Sequence, residues 1–111
     1  MKKLSKEIQI YSLTAGPELD ALIASHLMAG DGPLPAYSTD IADAWRVIEA
    51  MREEYVIALN DVQGQGGWWV EFQPKKYVGS LAFGTAIGVR AQTCPLAICR
   101  AAALSMLQRD L

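Results

Sequence analysis

An α+β fold is predicted for this chain by three observations. Two amphipathic helical patterns open it, alternating apolar and polar residues occupy its middle, and a largely apolar helical pattern closes it. The expected order is α-α-β-β-β-α, with a small antiparallel sheet of three to four strands. A length of 111 residues suits one domain, and residues 1–111 read as a single unit without internal repeat or linker.

The elements follow in order. Residues 1–14 are mixed, and Ile8, Ile10 and Leu13 are expected to form a short edge strand or an arm over the core. A first helix is expected from about Pro17 to Met28. Pro17 suits the first helical position, because its fixed φ is helical and its missing amide would have no partner there. Glu18 and Asp20 place charge at the positive end of the helix dipole, and Leu19, Leu22, Ile23 and His26 share a face. Gly30 is a stop signal, and the glycines and prolines at 30–35 make a connector.

The strongest local pattern is YSTDIADAWRVIEAM at 37–51. Ser38 and Thr39 are the expected N-caps of a second helix, with Asp40 and Asp43 in its first turn. Ile41, Ala44, Trp45, Ile48 and Met51 fall on one apolar stripe, the mark of a core helix running to about Glu53. Next, Tyr55, Ile57 and Leu59 alternate with Val56, Ala58 and Asn60, which predicts a strand. NDVQGQGG at 60–67 is a turn. In the strand that follows, Trp68, Val70 and Phe72 point one way while Trp69, Glu71 and Gln73 point the other. Residues 74–84 read either as a strand over Tyr77 to Phe83 or as a long bent loop. Thr85 to Ala91 is expected to be a strand with Ile87, Val89 and Ala91 inward and Arg90 outward. A closing helix runs from about Pro95 to Arg109, capped by Thr93 or Cys94. Its apolar residues cover most of its circumference, and alanines in its first half permit close approach to a neighbour, so it is expected to lie across the sheet.

Bulk properties exclude several function classes. Apolar residues make up 51% and charged residues 20%, a globular balance. The net charge of -2 and pI near 5.3 argue against general nucleic-acid binding, which needs surplus Lys and Arg. A double-stranded-RNA-binding domain shares the helix, three strands, helix order. Its closing helix needs a basic N-terminus, whereas here that stretch is TCPLAICR. No apolar window reaches the length of a membrane-spanning helix, and the basic N-terminus carries too short an apolar run for a signal peptide. The chain is expected in a reducing cytoplasm, with free thiols, no metal and no cofactor.

Three segments carry a family resemblance: AGPELDALIASHLMAG at 15–30, PAYSTDIADAWRVIEAM at 35–51 and RAQTCPLAICRAAALSML at 90–107. Together they resemble the phage ABA sandwich domain family, small proteins encoded by phages and prophages. The resemblance implies an α/β/α sandwich around a small antiparallel sheet, with residues 74–86 unusually long between the last two strands. It implies no mechanism and carries no catalytic residue over.

Candidate sites stand beside structural readings of the same residues. His26 is the only histidine and lies on the apolar side of the first helix, where a structural role is favoured over catalysis or a metal. Asp40 and Asp43 are explained by capping before acid–base work. Gly64, Gly66 and Gly67 lie between strands, whereas a phosphate-cradling loop leads into a helix, so a hairpin turn is favoured. Cys94 sits where a helix N-terminus lowers a thiol's pKa, but neither it nor Cys99 has a partner base. Trp69 is favoured as a core residue, with helices covering both faces of the sheet. With one face bare, Trp69 forms an interaction surface with Tyr37 or Arg90, residue types that carry much binding energy. The leading functional expectation is a non-catalytic phage or prophage accessory protein, a homodimer that binds a host or phage macromolecule. The alternatives are a small-ligand, nucleotide-type binder and, third, a small enzyme.

Overall fold

The computed structural model describes residues 9, 10, 12–28, 32–62, 64, 66–75 and 86–109. Three helices and three strands follow the predicted order: α1 (Pro17–His26), α2 (Ile41–Met51), β1 (Tyr55–Asp61), β2 (Trp68–Pro74), β3 (Ile87–Ala91) and α3 (Cys94–Arg109). The fold is α+β, as expected. Most of the ambiguous stretch between β2 and β3, and Ile8 near the start, lie outside the described residues.

Local chemistry sets the helix starts, and in one place differently from expectation. Asp40, not Ser38 or Thr39, is the N-cap of α2: its backbone is extended and its carboxylate accepts from the amides of Ala42 (2.8 Å) and Asp43 (3.2 Å). Ser38 is buried instead. Its amide and hydroxyl both donate to Asp20 Oδ1, each at 2.7 Å, and its Oγ accepts from the Gly16 amide at 2.8 Å. Asp20 therefore joins α1 to the loop before α2, rather than meeting water in a first helical turn. Near the N-terminus, the Leu13 amide donates to the carbonyls of Gln9 and Ile10, so Ile10 and Leu13 lie in a helical turn and not in an edge strand. Their three-residue spacing fits such a turn equally well.

The sheet has the order β1-β2-β3 and both pairings are antiparallel. Gly66 and Gly67 close the β1–β2 hairpin with positive φ, and a Cβ at Gly67 would lie 2.5 Å from the Ala91 carbonyl oxygen. Register places Tyr55, Ile57, Leu59, Trp68, Val70, Phe72, Ile87, Val89 and Ala91 on one face. Val70, Phe72 and Val89 there are essentially inaccessible. This inner face packs on α3, which lies across β2 and β3 as the sequence predicted. The rest of α3 meets α1 and α2. Ala97, Ala101, Ala102 and Ala103 are all buried, so small side chains let one helix touch the sheet and two other helices at once. The core face of α2 is Ala44, Val47, Ile48 and Met51; Ile41 and Trp45 turn outward, 52% and 46% exposed.

Candidate functional site

The outer face of the sheet carries Trp69, which the sequence favoured as core and the structure leaves exposed. Antiparallel register puts Asn60, Trp69 and Arg90 in one row across the three strands. Trp69 is 38% exposed, and Asn60 and Arg90 are exposed. The six-membered ring of Trp69 lies over Gly88 of β3, where an added Cβ would overlap it. A glycine on the edge strand thus leaves room for the indole, and the indole covers backbone that glycine leaves bare. Arg90 Nη2 donates to the Gly66 carbonyl at 3.1 Å, which ties the edge strand to the hairpin turn. Trp69 and Arg90 are thus register partners on one exposed stretch of the outer face.

Tyr37 does not join them. It is 2% exposed in the core, with the Arg46 guanidinium 5.9 Å from its ring centroid. Sequence spacing could not show this, because Tyr37 lies in a loop whose direction is fixed by the buried Asp20–Ser38 contact.

The candidates for chemistry are dispersed. His26 is exposed, and its Nδ1 lies within hydrogen-bond distance of Ser25 Oγ (2.9 Å) and the Leu22 carbonyl (3.1 Å). Asp40 caps α2, while Asp43 Oδ2 accepts from the Ala36 amide at 3.0 Å. Both cysteines are free and buried. Burial raises the Cys94 thiol pKa. Cys99 is raised far more, first by burial and then by the negative charge of Asp20. Neither environment favours a thiolate nucleophile. Among the described residues no group of three or more His, Cys, Asp or Glu side chains could hold a metal ion. No helix among them is long and apolar enough to cross a membrane.

One further surface escaped the sequence reading. A groove of about 410 Å³ runs between α2 and β1, lined by Trp45, Ile48, Tyr55, Ile57, Leu59 and the cations Arg52 and Lys75 among others. Trp45 Nε1 donates to Glu49 Oε1 at 3.1 Å, and Glu49 also pairs with Arg52 at 3.4 Å. The signal was present in the one-helical-turn spacing of Ile41 and Trp45, but a core stripe explained that spacing equally well.

Comparison with known proteins bears on the whole chain. Residues 29–103, more than half of it, match the family model described as the phage ABA sandwich domain. A solved structure, a phage protein from Bacillus cereus, is similar at a TM-score of 0.66 and 25% identity; the match covers 85% of this chain and 95% of that one. No curated protein matches.

Proposed function

The chain belongs to the phage ABA sandwich domain family, and on that premise we propose that it is a non-catalytic accessory protein of a phage or prophage. It works in the host cytoplasm as a homodimer and binds a host or phage protein through the outer face of its sheet. The observation that carries this reading is the exposed Trp69 beside Arg90 on rigid strand backbone. Aromatic and Arg side chains carry much of the energy at protein interfaces, and a sheet fixes them without a large ordering cost. The mildly acidic charge speaks for a protein partner over nucleic acid. The placement of His26, Asp40 and Arg90 in separate local hydrogen bonds, with Cys94 a buried thiol of raised pKa, supports a non-catalytic role.

The test is affinity capture from the host, followed by reconstitution with the purified partner. Wild type retains the partner, Trp69→Ala loses it, and Trp45→Ala on the other exposed surface retains it. Equal capture by wild type and Trp69→Ala removes the outer face from the reading. A second reading, a small-ligand binder for nucleotide-like molecules, draws on the α2–β1 groove, whose aromatic and cationic lining and volume fall in the range of such sites. Thermal shifts with nucleotides that disappear in Trp45→Ala would favour it.

A further inference from the structure

We propose that β1 is the seam of the homodimer. Two copies pair antiparallel along this strand, about a twofold axis at Ala58, into one six-stranded sheet with three strands from each copy. The inference deepens the homodimer reading above and rests on it.

The hydrogen-bond phase of the hairpin comes first. The Lys75 amide donates to the Glu54 carbonyl, and the Val62 amide to the Gly67 carbonyl. In an antiparallel ladder, residues that exchange such bonds alternate along the strand. Even-numbered residues of β1 therefore bond to β2, and the amides and carbonyls of Ile57 and Leu59 point away from the sheet. β1 is an outer strand, and no hydrogen bond reaches Ile57 or Leu59 from that side among the described residues. Such a row of donors and acceptors fits another extended backbone.

The two edges of the sheet differ. β3 has five residues, and its outward positions are Gly88 and the charged Arg90. β1 has seven, and Tyr55 to Leu59 contain no charge and no proline. Charges and prolines are the usual devices that stop an edge strand from pairing, and β1 lacks both there. The exposed Val56 lies on it and the exposed Trp45 beside it.

Charge selects the occupant and the register. Centred on Ala58, antiparallel self-pairing sets Ile57 opposite the partner copy's Leu59 twice over, and Val56 opposite Asn60. Ala58, the smallest side chain of the strand, then meets itself at the axis. A register centred on Ile57 would oppose Glu53 to Asp61, and one centred on Leu59 would oppose Ile57 to Asp61. Like charges directly opposed disfavour the first, and the second sets Asp61 against the aliphatic Ile57 inside the strand. In the Ala58 register Asp61 meets Tyr55, Glu54 meets Val62 only beyond the strand ends, and no two like charges face each other.

The test uses the full chain. Wild type is expected to run as a dimer in light scattering coupled to size exclusion. Ala58→Cys is expected to form a disulfide-linked dimer under mild oxidation, since cross-strand partners have Cβ atoms about 4.5–5.5 Å apart. Val56→Cys alone does not cross-link, but mixed with Asn60→Cys it gives a linked heterodimer. The buried Cys94 and Cys99 do not compete. Ala58→Lys, which opposes two ammonium groups at the axis, yields a monomer with an unchanged circular dichroism spectrum. A wild-type dimer in which Ala58→Cys fails to cross-link overturns the seam and leaves the homodimer reading standing. A wild type that is monomeric at every concentration overturns both.

Discussion

Trp68 and Trp69 are consecutive in the chain, share one strand and lie on opposite faces of the sheet. Trp68 belongs to the face that α3 covers, in line with Val70 and Phe72. Trp69 lies on the other face, over Gly88 and beside Arg90. The inner face is apolar, and its centre, Val70, Phe72 and Val89, is fully buried beneath α3. The outer face mixes Val56, Asn60, Trp69, Glu71 and Arg90, and its large side chains keep accessible area. Strand alternation thus gives the core one face of the sheet and leaves Trp69 and Arg90 accessible on the other.

The sharpest way to break that contrast is to truncate an aromatic on each face. Phe72→Ala removes a fully buried ring and is expected to cost about 3–5 kcal/mol in urea unfolding. Trp69→Ala should cost much less while abolishing partner capture. Similar losses of stability on the two faces would mean that the outer face is also structural. On the helical side of the molecule, Asp20→Ala strands the buried amide of Ser38 and leaves its hydroxyl only the Gly16 backbone. It is expected to cost about 2 kcal/mol by the same measurement, each abandoned polar group contributing about 1–3 kcal/mol before relaxation. The smallest effect concerns the outer face itself. Gly88→Ala pushes against the Trp69 ring and should destabilise by about 1 kcal/mol. The same change made on a Trp69→Ala background should be close to neutral, and a double-mutant cycle would report the difference as coupling. Additivity would show that the ring does not rest on Gly88.

Much of this architecture was legible in the residues. The alternation from Tyr55 to Leu59 and from Trp68 to Gln73 dictated two strands and which side chains share a face, because side-chain direction in a strand has a period of two. Pro17 opened α1 and Thr93 preceded α3, and the structure keeps both as starts. The N-cap of α2 was misplaced by one or two residues because Ser38, Thr39 and Asp40 can all cap. Asp40 does so because a distant carboxylate, Asp20, engages Ser38. The stripe on α2 was rotated for a related reason. Ile41 and Trp45 satisfy helical spacing as well as Val47 does, and only the position of α3 decides which arc is buried.

For the candidate site the division is similar. Trp69 and Arg90 on one face follow from strand parity and the pairing register. The exclusion of Tyr37 does not, since it depends on a hydrogen bond between residues 18 positions apart. The sequence by itself determined the class of each element, the order of the elements and the two-sided character of the strands. These are consequences of backbone periodicity and of local donors and acceptors, which act within a few residues. Only the tertiary structure decided which sheet face α3 covers, which carboxylate caps and which is buried, and which strands lie at the ends of the sheet. Those outcomes depend on where α3 and the hairpin come to rest, and contacts distant in the chain leave no periodic trace in it.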